Sequence, residues 1–124
     1  MSANILIVDD EIFRYMVVDV LNQHGYSTAE MENGEKAFRY YAKHPEDVDL
    51  VILDMVLPEA GEGKIYKLLK QKYPPLKIIM ISGRWLGYDV KKYIIENADI
   101  FLHTPFSNNE LISTIRRVLE KKES

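Results

Sequence analysis

Short apolar runs alternate along the chain with longer stretches in which apolar residues recur every three or four positions. Continuous runs of this length are typical of strands that are covered on both faces of a parallel sheet. They predict five strands, over residues 5–8, 26–31, 50–53, 78–81 and 100–102, of which the second has the weakest pattern. The longer stretches predict five helices. Their apolar stripes include Val17, Ala37, Leu68, Ile94 and Ile115.

Turn-forming and capping residues mark the ends of these helices. They are Gly25 after the first helix, Asn33-Gly34 before the second, Pro74-Pro75 after the third, and a capping box from Ser107 to Glu110 at the fifth. Strands and helices in strict alternation predict βαβ units with right-handed crossovers. The pattern therefore predicts a doubly wound α/β sandwich of three layers, forming a single domain over residues 1–124.

The composition of the chain argues against several classes of function. With 124 residues and 28% charged residues, the chain has the length and balance of one globular domain. The net charge is −3 and the basic residues are scattered, which argues against nucleic acid as the main partner. There are no cysteines, so disulfides and thiolate chemistry are excluded. No signal peptide or membrane-spanning run is found, so we expect a cytoplasmic protein with no membrane partner.

Carboxylates follow two of the predicted strands. Asp9 and Asp10 come after the first strand and Asp54 after the third, and ligands of such sheets bind at the carboxyl ends of the strands. Three carboxylates at one edge would repel one another without a cation, and Mg²⁺ suits a site with few carboxylates and an incoming phosphate. With the charge offset, an Asp54 oxygen could attack a phosphoryl group. Ser82, at the end of the fourth strand, could donate a hydrogen bond to it.

Four segments together resemble the receiver domain of two-component response regulators over essentially the whole chain. They are ILIVDDE, VILDMVLP, IIMISG and FLHTPF. The resemblance implies a flavodoxin-like, CheY-like fold with strand order 2-1-3-4-5. It also implies that Asp54 is the phosphoacceptor, that Asp10 binds Mg²⁺ directly and Asp9 mainly through water, and that the Val56 carbonyl supplies a further oxygen.

The same resemblance implies a set of switch residues, and this chain differs from the family at one position of the site. Ser82 matches the hydroxyl residue that moves toward the phosphoryl group, and Phe101 matches the aromatic switch that remodels the face made by the fourth helix, fifth strand and fifth helix. The family has a lysine before a proline bond that is usually cis, and here that position holds Thr104. Losing this cation predicts slower transfer and weaker coupling to the switch. Arg84 is either a substitute cation or a solvated surface residue.

Three functions are compatible with the sequence. The first is a receiver in a phosphorelay, whose only enzymatic act would be slow self-dephosphorylation. Its partners would be a histidine kinase or phosphotransfer protein and a downstream protein, output domain or second copy of the chain. The second is a degenerate receiver that works as an interaction or dimerisation module without phosphorylation. The third, a magnesium-dependent phosphohydrolase, lacks an apparent general base or substrate pocket.

Overall fold

Five parallel strands form the central sheet. The computed structural model describes residues 3–9, 11–54, 64–82, 92, 96 and 100–120, with only the backbone described for Glu11, Ile12 and Ser82. The strands are β1 (Asn4–Val8), β2 (Ser27–Met31), β3 (Leu50–Asp54), β4 (Ile78–Ser82) and β5 (Ile100–His103). Their order is β2-β1-β3-β4-β5, and every neighbouring pair is parallel. The predicted fold class and strand order are confirmed.

Helices connect the strands at the predicted places. They are α1 (Glu11–Gln23), α2 (Gly34–Lys43), α3 (Lys64–Lys72) and a final helix, Asn108–Glu120, which we call the last helix; a short 3₁₀ helix, Pro45–Asp47, follows α2. Of the predicted fourth helix, which contains Ile94, only Lys92 and Glu96 are described, and both are helical. Within the part of the chain that is described, no helix has the length and apolarity needed to cross a membrane.

Two apolar clusters cover the two faces of the sheet. On one face Ile7 of β1 and Ile52 of β3 pack with Leu21 of α1 and with the last helix. On the other face the alternate strand residues, such as Leu53, pack with Ile65 of α3 and with α2. Since successive residues of a strand point to opposite faces, burial on both sides requires every position to be apolar. This explains the continuous runs in the sequence.

The predicted helix ends are formed by specific contacts. The Asn33 side chain accepts a hydrogen bond from the Lys36 N–H at 2.8 Å, which caps α2. The Ser107 hydroxyl accepts one from the Glu110 N–H at 3.0 Å and so caps the last helix. Gly25 follows α1 with φ +86°, a left-handed conformation that favours glycine. These caps fix where the helices begin and end relative to the strands.

The apolar stripe of α3 was predicted with one error. Leu68 is 42% exposed, whereas Ile65, Tyr66 and Leu69 are buried. At about 100° per residue, Leu68 falls outside the arc of the helix that faces the sheet. Lys70 falls inside this arc and is buried, with its Nζ donating a hydrogen bond to the Leu76 carbonyl at 2.6 Å. A lysine can occupy such a position because its stem is apolar and its ammonium finds a carbonyl partner.

Candidate functional site

Asp9 and Asp54 are brought together at the carboxyl ends of β1 and β3. The pairing register places Val8 opposite Leu53, and each aspartate follows one residue later. Asp54 is the last residue of β3, and Asp9 comes directly after β1. Because adjoining strands lie about 4.8 Å apart, the backbones of the two aspartates are close neighbours at this edge of the sheet.

Ser82 and Thr104 lie along the same edge, on the other side of Asp54. The register places Asp54 opposite Ile81, so Ser82 comes one residue beyond it on β4. Ser82 in turn pairs with His103, and Thr104 follows His103 at the end of β5. The Thr104–Pro105 peptide bond is cis. The edge thus presents Asp9, Asp54, Ser82 and Thr104 in the order of the strands β1, β3, β4 and β5.

Both carboxylates are removed from solvent. Asp9 is 0% and Asp54 5% exposed. A buried carboxylate is costly unless hydrogen bonds, an ion pair or a metal ion compensate it. Two buried carboxylates on adjoining strand ends are therefore a donor set suited to a small hard cation such as Mg²⁺.

Several predicted site residues lie outside the described part of the chain. They are Asp10, Val56 and Arg84, together with the side chain of Ser82. Within the described residues, no group of three or more acidic or histidine side chains is close enough together to hold a metal ion. The predicted set of three carboxylates includes Asp10, so the described residues supply two of its members.

Arg14 is a residue of this edge that the sequence analysis missed. It lies in the first turn of α1, and its Nη1 donates a hydrogen bond to the Asp9 backbone carbonyl at 3.1 Å. Its Nε lies 3.3 Å from Glu30 Oε1 on β2, and its side chain is only 17% exposed. A cation in the first turn of a helix is disfavoured by the helix dipole. That unusual placement, four residues after Asp10, is the signal that could have identified it.

The two glutamates on and just after β2 are each paired with a basic side chain. Glu32 follows β2 and pairs with Lys36 of α2. The hydrogen bond from Lys36 lowers the pKa of Glu32, the charge of Lys36 lowers it further, and the more distant charge of Arg14 contributes in the same direction. Glu32 thus has Lys36 as its main partner, while Arg14 contacts Glu30 and the end of β1.

Phe101, the predicted switch residue, is partly buried on β5. It packs against the apolar cluster on the α2 and α3 side of the sheet. Its ring also meets the exposed His103 ring edge to face, with centroids 6.1 Å apart and an interplanar angle of 80°. The His103 Nδ1 lies 2.8 Å from the Thr104 carbonyl. Phe101 is therefore linked through His103 to the strand end that holds Thr104.

Comparison with known proteins places this geometry in a family. A family model described as "Response regulator receiver domain" matches residues 5–116. The chemotaxis protein CheY of Bacillus subtilis (strain 168) is 35% identical over 121 residues, covering 96% of this chain and 99% of that protein. The sensor kinase CckA of Brucella abortus (strain 2308) is 30% identical over 123 residues, covering 98% of this chain and 13% of that protein.

A solved structure agrees with these matches. The chemotaxis protein CheY4 of Vibrio cholerae superposes with a TM-score of 0.80 at 27% identity, covering 96% of this chain and 100% of that one. The matched transcriptional regulatory proteins are longer, and this chain spans about half of their length. The similarity therefore concerns one domain, which makes up nearly all of some relatives and about half or less of others.

Proposed function

Because the chain belongs to the response-regulator receiver domain family, we propose that it accepts a phosphoryl group on Asp54 in a magnesium-dependent reaction. The observation that carries this proposal is the position of Asp54, a buried carboxylate at the end of β3 beside the fully buried Asp9. The donor would be a phosphohistidine of a kinase or phosphotransfer protein, or a small phosphodonor. Receiver domains act with kinases and output domains, and some relatives are parts of such proteins.

The metal would be held by the acidic edge. Receiver domains of this family use Mg²⁺, and the buried oxygens of Asp9 and Asp54 are ligands of the kind that it prefers. We assign direct contact to Asp10, a contact through water to Asp9, and further oxygens to Asp54 and to the Val56 carbonyl. When bound, the ion offsets negative charge on the phosphoryl oxygens.

The chain's own residues perform the transfer. An Asp54 carboxylate oxygen attacks phosphorus and forms a new P–O bond while the bond between phosphorus and the donor breaks, and the electron pair of that bond leaves with the donor. We assign to the Ser82 hydroxyl a hydrogen bond to the transferred group. Phe101 would then turn inward and alter the surface formed by the fourth helix, β5 and the last helix, which a downstream protein or domain recognises.

Thr104 affects how fast we expect Asp54 to be phosphorylated. A lysine here would be a cation that pairs with Asp54 and then with the phosphoryl group, whereas threonine offers only a hydroxyl. Since β5 ends beside Ser82 of β4, and β4 pairs with β3, where Asp54 lies, the long side chain of a lysine would have placed its charge near the transferred group. Removing one such electrostatic partner from a preorganised site typically slows a reaction by about 10²–10³. We therefore expect slow phosphorylation of the natural chain.

The same residue favours a second candidate function. Without the cation, the chain could serve as an interaction or dimerisation module whose surface does not depend on phosphorylation. Partner binding would then be the same in the Asp54→Asn variant and in the natural chain. Partner binding that requires Asp54 and a phosphodonor would exclude this alternative.

The test is incubation with Mg²⁺ and acetyl phosphate or beryllium fluoride, followed by intact mass and by fluorescence of Trp85, the only tryptophan. We expect one phosphoryl adduct on the natural chain, none on Asp54→Asn, and an unchanged adduct on Asp19→Asn, a matched control at an exposed position of α1. Thr104→Lys should form the adduct at least about tenfold faster, because it restores the missing charge. An adduct on Thr104→Lys but none on the natural chain would contradict the proposed function and favour the module.

A further inference from the structure

Arg14 joins three elements of the fold at the acidic edge. Its guanidinium lies on α1, donates to the carbonyl of Asp9 just after β1, and pairs with Glu30 on β2. The Asp9 N–H approaches the Met31 carbonyl of β2 at 3.4 Å, which is long for a hydrogen bond. The bond from Arg14 to the Asp9 carbonyl, at 3.1 Å, is shorter than this contact.

This contact acts on the peptide plane between the two acidic residues of the motif. β1 ends at Val8, and the Asp9 carbonyl comes after the last residue of the strand. A peptide unit is planar and carries the Cα atoms of both residues that it joins. Holding the Asp9 carbonyl therefore restrains the backbone from which the Asp9 side chain extends.

The burial of Arg14 distinguishes it from the exposed ion pairs of the protein. Arg39 and Glu35 of α2 also form an arginine–glutamate pair, at 2.6 Å, but their side chains are 73% and 63% exposed. The Arg14 side chain is 17% exposed, donates a hydrogen bond to a backbone carbonyl and forms an ion pair with a carboxylate. The planar guanidinium suits this double contact, since its donors point in fixed, divergent directions.

We propose that Arg14 is a positioning residue for the metal site, holding the Asp9 peptide so that the acidic pair is arranged for Mg²⁺. The inference rests on the proposed function. Groups that orient metal ligands typically change metal affinity by about 10–100-fold when they are removed. Arg14 also has an opposite electrostatic effect, because its positive charge repels a cation nearby. The two effects predict opposite outcomes for its removal.

The test measures Mg²⁺ affinity of the full chain by isothermal titration calorimetry, with a circular dichroism melt of each variant to confirm folding. Arg14→Met should weaken Mg²⁺ binding by at least about tenfold. Arg14→Lys should fall between this variant and the natural chain, because an ammonium can reach the Asp9 carbonyl or Glu30 but lacks the planar fork. Arg39→Met, which removes the same charge from an exposed pair, should change the affinity by less than about twofold.

The outcomes separate this inference from the proposed function. If the natural chain binds no Mg²⁺, the proposed function and this inference both fail. If the natural chain binds Mg²⁺ and Arg14→Met binds it more tightly, only the inference is overturned, and Arg14 acts as a nearby positive charge that repels the cation. A purely structural role would lower the melting temperature of Arg14→Met without changing the Mg²⁺ affinity of the folded protein, and that result would overturn it too.

Discussion

Replacing Asp54 with asparagine should stabilise the protein in the absence of Mg²⁺, even though it removes the proposed phosphoacceptor. Asp54 and Asp9 are both buried, and they follow paired residues of adjoining strands. Asp54 lies two residues after Ile52, and Asp9 two residues after Ile7, and both isoleucines belong to the apolar cluster on one face of the sheet. Since residues two apart along a strand share a face, both aspartates continue on that face. Two negative charges are therefore held close together, and the variant removes one of them.

The size of the effect follows from this spacing. Two unit charges about 5 Å apart interact by about 3 kcal/mol at an effective dielectric constant near 20. Asparagine also loses the stronger hydrogen bonds that an ionised carboxylate accepts, which costs about 1 kcal/mol. The expected net gain in the free energy of unfolding is about 1–3 kcal/mol. For a domain of this length, that corresponds to a rise in melting temperature of roughly 3–10 °C.

Thermal unfolding followed by circular dichroism, with EDTA and then with Mg²⁺, measures this difference. Saturating Mg²⁺ at about 100 times its dissociation constant should stabilise the natural chain by about 2.7 kcal/mol, and it should stabilise Asp54→Asn less. Asp19→Asn, at an exposed position of α1, controls for the loss of one charge. The reasoning is refuted if Asp54→Asn melts at or below the temperature of the natural chain in EDTA while Asp19→Asn does not change.

Two further predictions concern packing and pH. Gly34→Ala should lower the free energy of unfolding by about 1–3 kcal/mol in urea denaturation, because the added Cβ would lie 2.6 Å from Ile65 Cγ1; an unchanged midpoint would contradict it. Burial raises the pKa of Tyr41, and Tyr73 adds to the effect, so the stability that the neutral phenol contributes is complete below pH 10 and is lost as pH rises through the higher pKa of the folded state. Tyr41→Phe should reduce this alkaline loss, and equal alkaline sensitivity of both proteins would exclude Tyr41 as its source.

The sheet was predictable from the sequence because its interior strands are buried on both faces. All five residues of β3 are buried, so the run over residues 50–53 carries an unambiguous signal. The edge strand β2 is only half-buried, and its pattern is correspondingly weak. Where burial and apolarity coincide, the sequence pattern is sufficient.

The sequence pattern did not predict where a charged side chain is buried, because such a position depends on a hydrogen-bond or ion-pair partner and not on apolarity. Lys70 occupies a buried position of α3 because the Leu76 carbonyl accepts its ammonium. Arg14 lies beside the acidic edge because the Asp9 carbonyl accepts a hydrogen bond from it and Glu30 forms an ion pair with it. These partners are distant or backbone groups, and no spacing rule relates them to the cation. The positions of Asp9 and Asp54, in contrast, followed from the strand ends alone.

Arg14 and the missing lysine act on different parts of the edge, so one cannot replace the other. Arg14 contacts the end of β1 and Glu30 of β2, whereas Thr104 stands at the end of β5. The order β2-β1-β3-β4-β5 separates β1 from β5 by three strand spacings, or about 14 Å. At such separations the effects of two substitutions usually add. We therefore expect Arg14 to affect how the acidic pair binds a cation, and the residue at position 104 to affect the group that the proposed reaction transfers to Asp54.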